Sequence, residues 1–288
     1  MTIKKPKNHI MLPASTLKRF TDSDGRLHYF DINNEKIART YARSYYSRSS
    51  YYPEDVEQFL SQYIEKTIGD LNKAMNDFAD GSNDYRHLKI EAFALLCAVQ
   101  ELRVPRKSKT LANRYCDHTD NLLRLKDLWS SQNSSIIETI IIERSKYWLE
   151  EIFHEYDVNI CIVRDDTATS SFLLPSHHWY IVSDRVYFVV SPYRAVVLLP
   201  TKENKKFYAS NTNLNYFECT QNELDCHISR VLTQEILLGE RKVVGQIPQL
   251  EKLSTGFKEY LENELENFSY YEINVFRKLG ADFNNFPR

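Results

Sequence analysis

Four polar side chains stand at positions where a reaction could use them. Asp184 closes the apolar run Tyr180-Ile181-Val182-Ser183. A carboxylate at the end of a strand lies at a sheet edge, where a substrate or metal can dock. A Ser-Asp pair also opens turns by bonding local backbone N–H groups. Arg103 ends a mostly apolar run, and a buried guanidinium must find a counter-charge. Glu65 lies one step off the apolar stripe of an earlier helix and is the expected partner of Arg103. The pair would either lock two helices together or present an anion-binding Arg in a cleft. His9 supplies a residue type that exchanges protons near neutral pH, suited to acid–base work or to capping a strand end. Asp184, Arg103, Glu65 and His9 are the catalytic candidates.

A second group points to nucleic acid. The segment KIARTYARSYYSRSSYY interleaves bases with tyrosines, and Arg39, Arg43, Tyr45, Tyr46 and Arg48 are its candidate contacts. Arginine neutralises phosphate, and tyrosine faces stack on unpaired bases. Tyrosine also packs well in cores with its hydroxyl outside. Residues 1–50 hold ten Lys/Arg against four acids, a net of +6, while the remaining 238 residues carry −8. Such a basic end either seeks an anionic partner, stays solvated, or pairs with its own body.

Other chemistries lose ground on spacing. The 7 glycines are never closer than six positions, so the P-loop, the dinucleotide fingerprint and the G-x-S-x-G elbow are absent. The 5 cysteines form no C-x-x-C, and Cys97 sits in the apolar run AFALLCAV as an expected core residue. Cys116-Asp117-His118, Ser176-His177-His178 and Cys226-His227 have ligand chemistry, but neighbours on a helix or strand do not share a face. Asp165-Asp166 lacks the downstream Glu-x-Lys that a Mg²⁺ nuclease of that type needs. No cofactor is predicted, and a divalent metal has no support from ligand spacing.

The elements that must position these residues follow from periodicity. At 288 residues with 42% apolar and 26% charged composition, the chain has the make-up of a folded domain. Ser23-Asp24-Gly25 reads as a turn into the strand Leu27–Ile32. Pro53-Glu54-Asp55 opens a helix whose stripe includes Ile68, Leu71, Met75 and Phe78. Further helices are expected over about 84–103, 108–129 and from Ser135 to about 155. The period then turns strand-like, in short runs from Val158 to Leu199. A helix follows from Thr220 to about 238, then a strand at Lys242–Val244 and a helical tail over about 248–280. The expected class is α+β: about four helices (53–155) packed on a largely antiparallel meandering sheet (158–200 plus an N-terminal strand), with a C-terminal helical tail. Residues 1–247 are expected as one domain and 248–288 as a helical extension.

Several segments, in order, resemble the bacterial domain-of-unknown-function family 4238. NHIMLPASTLKRF is similar to its opening through Pro13, Leu17 and Phe20, with His9 one residue farther from Pro13 than in the family. LHYFD, YIEKTI with Glu65, VQELRVPR with Arg103, YIVSDRVYFVV and AVVLLPTK resemble its successive motifs. Arg185-Val186 stands where the family carries Asn-Pro. The likeness spans about residues 8–247 and implies a shared fold with little chemistry.

Two functions are open at this level. One is a nucleic-acid-directed protein, such as an RNA- or DNA-cleaving, nuclease-like hydrolase of a bacterial defence or toxin system, with single-stranded nucleic acid as partner. The other is a non-catalytic interaction or assembly protein, a homo-oligomer through 248–280, where Leu253, Phe257, Leu261, Leu265 and Phe268 form an apolar stripe. Whether the chain is an enzyme at all stays open. No run reaches the ~18 apolar residues of a membrane span. The N-terminus lacks a secretion signal's apolar core, and a cytoplasmic location is expected.

Overall fold

The computed structural model describes residues 7–9, 12, 14–45, 47–49, 65–79, 88–103, 134–154, 156–163, 171–200, 216–219, 221–239, 242–262, 264–279, 281 and 283. The expected helix over 108–129, Tyr46, Pro53-Glu54-Asp55, Cys116-Asp117-His118 and Asp165-Asp166 lie outside these residues. In chain order the elements begin with β1 (Lys7–His9), α1 (Ala14–Lys18), β2 (Arg26–Asp31), β3 (Lys36–Tyr41) and β4 (Ser47–Ser49). The helices α2 (Glu65–Ala79), α3 (Ile90–Arg103) and α4 (Ser134–Tyr147) follow. Next come β5 (Tyr156–Val163), β6 (Trp179–Val182), β7 (Arg185–Ser191), β8 (Arg194–Pro200), β9 (Tyr216–Cys219), α5 (Gln221–Leu237) and β10 (Lys242–Val244). The chain continues through α6 (Ile247–Thr255), α7 (Phe257–Leu261) and α8 (Tyr270–Lys278).

The class is α+β, as expected, but the chain divides into two units rather than a domain with an extension. The first comprises Met1–Met11 and Tyr46–His154, the second Leu12–Tyr45 and Glu155–Arg288. The described helices of the expected layer, α2, α3 and α4, therefore belong to one unit, and the strands expected over 158–200 to the other.

In the first unit, α2 buries Ile68, Leu71, Ala74 and Met75, which recur at three- and four-residue steps. Helix α3 has no polar stripe: Phe93, Ala94, Leu96, Cys97, Ala98 and Val99 are all buried, matching the expectation for Cys97. Helix α4 runs into one π-turn over Trp148–Ile152, closed by the Phe153 N–H donating to the Trp148 carbonyl at 2.7 Å. The extra residue brings the Trp148 and Phe153 rings to 5.2 Å, both buried. Strands β1 and β4 form a short antiparallel pair.

The second unit holds two sheets. The larger has the order β6-β7-β8-β5-β9, antiparallel except for the parallel β5–β9 pair. Its β7 and β8 are rich in Val, Leu, Tyr and Phe and buried on both faces. The smaller has the order β10-β2-β3 and is wholly antiparallel. The expected N-terminal strand thus lies in a sheet of its own, because β10 takes its free edge. Just after β10, a Cβ at Gly245 would meet Leu173 Cδ2 at 2.6 Å, so any larger residue there requires the buried Leu173 side chain to shift.

The C-terminal tail is also part of this unit. Helix α6 packs on β2 and β3, and α7 on α5. Leu253, Leu261 and Phe268 are buried, and Phe257 lies 5.3 Å from the Phe30 ring. Leu253, Leu261 and Phe268 of the stripe offered for self-association are therefore covered inside the chain, each contributing about 1.5–3 kcal/mol there.

Strand β6 is the edge of the larger sheet, and α5 closes that edge chemically. The Gln234 side chain accepts from the Ile181 N–H at 3.1 Å and donates to the Ile181 carbonyl at 2.6 Å. Both groups are buried, so the amide replaces a missing strand. Gln234→Leu is expected to lower unfolding stability by about 1–3 kcal/mol, read by chemical denaturation; a loss under half a kcal/mol would contradict this role.

Candidate nucleic-acid interface

The β2–β3 hairpin carries Arg26, Lys36 and Arg39, with Arg43 on the turn that follows it. Its four-residue connection, Ile32-Asn33-Asn34-Glu35, fixes Asp31 opposite Lys36. That register puts Arg26 opposite Tyr41 and His28 opposite Arg39. Because strand side chains alternate, all four share one face. The Arg26 guanidinium carbon sits 3.6 Å from the Tyr41 ring centroid, and the tyrosine keeps 48% of its surface exposed. Arg39 is exposed on the same face, and Arg43 is exposed on the 3₁₀ turn that follows β3. Neither arginine makes an ion pair among the described residues. Lys36 is exposed at the start of β3. Strand β3 is the sheet's outer strand, and charge along it blocks edge-to-edge pairing.

The hairpin is held rigidly at its base. Gly25 takes a left-handed φ of 70°, and Asp22 Oδ1 accepts from the N–H groups of Asp24 and Arg26 at 2.9 and 2.8 Å. Asp22 Oδ2 meets His28 Nε2 at 2.8 Å. The His28 bond and the two backbone donors hold the Asp22 carboxyl below its usual range. The acid is thereby tied down beside the arginines instead of neutralising them.

Tyr45 is a correction to the expected contact set. It is buried at 3% exposure, its ring 5.4 Å from Tyr29, while Lys242 Nζ lies 5.0 Å from the Tyr29 centroid. A ring enclosed this way cannot stack on a base. Sequence reasoning missed Arg26 and Tyr41, which join only through strand register. The paired Asn33-Asn34 turn signal would have given it. Arg48 lies on β4, opposite Asn8.

The catalytic candidates fall in both units. His9 is on β1 opposite Ser47, Glu65 begins α2, and Arg103 ends α3, all in the first unit. Asp184 belongs to the second, in the two-residue turn between β6 and β7. There Ser183 adopts a left-handed φ of 59°. The Ser183 carbonyl accepts from Ser269 Oγ at 2.9 Å and the Asp184 carbonyl from the Tyr156 hydroxyl at 2.7 Å. Burial pushes the neighbouring Tyr271 hydroxyl up to about 12, and the Asp184 charge adds to this. The geometry around Asp184 is thus that of a pinned turn.

The His177-His178 pair lies in the turn before β6. His178 has a left-handed φ of 68° and its Nε2 meets the Val189 carbonyl at 2.9 Å. His177 Nδ1 lies 3.8 Å from Glu235 Oε1, and both side chains are buried. His227, the neighbour of exposed Cys226 on α5, has its Nδ1 2.7 Å from the Tyr180 hydroxyl. These groups are sealed in the core and reach no solvent-borne substrate. No cluster of three or more His, Cys, Asp or Glu side chains is placed to hold a metal among the described residues. No described helix is long and apolar enough to cross a membrane.

Comparison with protein-family models, with curated proteins and with solved structures found no match to this chain.

Proposed function

We propose that this protein binds single-stranded nucleic acid through the face of the β2–β3 hairpin. The carrying observation is the exposed Arg26–Tyr41 stack beside Arg39 and Arg43, two guanidinium groups with no ion pair among the described residues. Unpaired cations on a rigid ribbon recover free energy by releasing counterions from phosphates. An Arg-backed aromatic ring adds a surface that any base can use. Within the second unit, residues 12–45 hold six Lys/Arg against four acids, a net of +2, which favours an anionic partner at this face. A cleaving activity belongs to the same proposal only through Asp184, His9, Glu65 and Arg103. Membership of family 4238 is likewise a proposal, resting on the ordered motifs.

The direct experiment is fluorescence anisotropy of a labelled 12-nucleotide single strand at 50 mM salt. Saturable binding is expected for the wild type. Arg39→Gln combined with Arg43→Gln is expected to weaken it roughly 60-fold at that salt, the electrostatic worth of two phosphate contacts on a single strand. Unchanged affinity in the double variant would reject this face.

A further inference from the structure

We infer that Tyr41 is a base-stacking platform that captures one unpaired nucleobase between its open ring face and the flanking arginines. The inference rests on the nucleic-acid reading above and adds what part of the ligand is recognised. The Arg26 guanidinium covers one face of the Tyr41 ring at 3.6 Å. A ring covered on both faces could not keep 48% of its surface exposed, so the opposite face meets solvent. The guanidinium behind it fixes the ring and draws electron density toward the covered side. Arg39 lies two residues before Tyr41 on the same face, and Arg43 two residues after it on the 3₁₀ turn. Two residues of strand span about 6.6 Å, so Arg39 stands within reach of a phosphate next to a stacked base, and Arg43 adds an exposed cation on the turn that follows the ring. The other aromatics of this hairpin are taken up, Tyr29 by Tyr45 and Lys242 beside it and Phe30 by burial against Phe257. Tyr41 is therefore the open ring of the described hairpin. A duplex hides its base faces, so the site selects single strands without reading their sequence.

The test compares wild-type protein on two oligomers of equal length and charge, an eight-nucleotide thymidine strand and the same backbone without bases. Binding of the thymidine strand is expected to be about tenfold tighter or more. The salt dependence of both should match, because both carry the same phosphates. Tyr41→Ala should erase the preference and Tyr41→Phe should keep it. Equal binding of the two oligomers by the wild type would overturn the stacking platform while leaving phosphate binding at the hairpin in place. Absence of binding to both at 50 mM salt would overturn the platform and the nucleic-acid reading together. Should Tyr41→Ala fail to fold, the wild-type comparison and the Phe variant still decide.

Discussion

Replacing Arg230 with alanine is expected to destabilise the second unit by about 3–5 kcal/mol. Arg230 projects from α5 and is only 9% exposed. Its Nη1 donates to Glu264 Oε1, its Nη2 donates to the Asn267 carbonyl at 2.6 Å, and its Nε lies 3.1 Å from Glu272 Oε1. The guanidinium also stacks 4.3 Å over the Phe268 ring. One cation therefore holds two carboxylates that burial pushes above their usual range and that Arg230 pulls back down. Glu272 is fully buried and also closes the capping box of α8, accepting from the Ser269 N–H at 2.7 Å. Without Arg230, two like charges would face each other out of water. They would take up protons instead, so the loss should shrink between pH 7 and pH 5. Arg230→Met with Glu264→Gln and Glu272→Gln should recover much of it, because a neutral set buries no uncompensated charge. Chemical denaturation reads the first effect, and hydrogen exchange over 264–278 locates it. A loss below about 1 kcal/mol, well under the usual penalty for a stranded buried charge, would contradict the role.

Acidification is expected to destabilise the same unit through two buried histidines. Burial depresses His178 to about 4 and His227 to about 3, with Arg185 adding repulsion at His227. Both imidazoles are therefore neutral in the fold. The unfolded chain takes up protons near pH 6.5 that the folded chain refuses. Stability is full above that value and falls as pH drops toward 4, by about 1.4 kcal/mol per pH unit for each histidine. Glu264 and Glu272 act with the opposite sign, since their raised values favour proton uptake in the fold. Asp22, held low, acts with the histidines. The thermal midpoint at pH 5 should lie clearly below that at pH 7. An equal or higher midpoint at pH 5 would contradict the sealed, neutral state of both rings.

The helices and strands that the sequence shows best are those with one strong period. The three- and four-residue steps of Ile68, Leu71 and Met75 are a buried stripe in the fold, and the β-rich runs around Tyr187 and Val196 are strands. What periodicity does not carry is partnership. The stripe Leu253, Leu261 and Phe268 reads the same whether a second copy or the chain's own α5 and β2 covers it. Strand β2 joins β10 from the far end of the chain, a pairing that no local signal encodes. The candidate site behaves alike. Arg39 and Arg43 stand out by composition, whereas Arg26 enters only through the hairpin register. Tyr41 and Tyr45 are equivalent in sequence, yet one is half exposed and the other buried. Chain direction and strand alternation decide which tyrosine meets solvent.

The central claim is tested most directly by the salt dependence of single-strand binding. Affinity of the full chain for a labelled 12-nucleotide strand would be measured from 50 to 300 mM salt, for the wild type and for Arg39→Gln/Arg43→Gln. A linear fall of log affinity with log salt is expected, with the slope reduced by about 1.4 in the variant, the share of two phosphate contacts. An identical slope in both proteins would place the phosphates elsewhere and contradict the account.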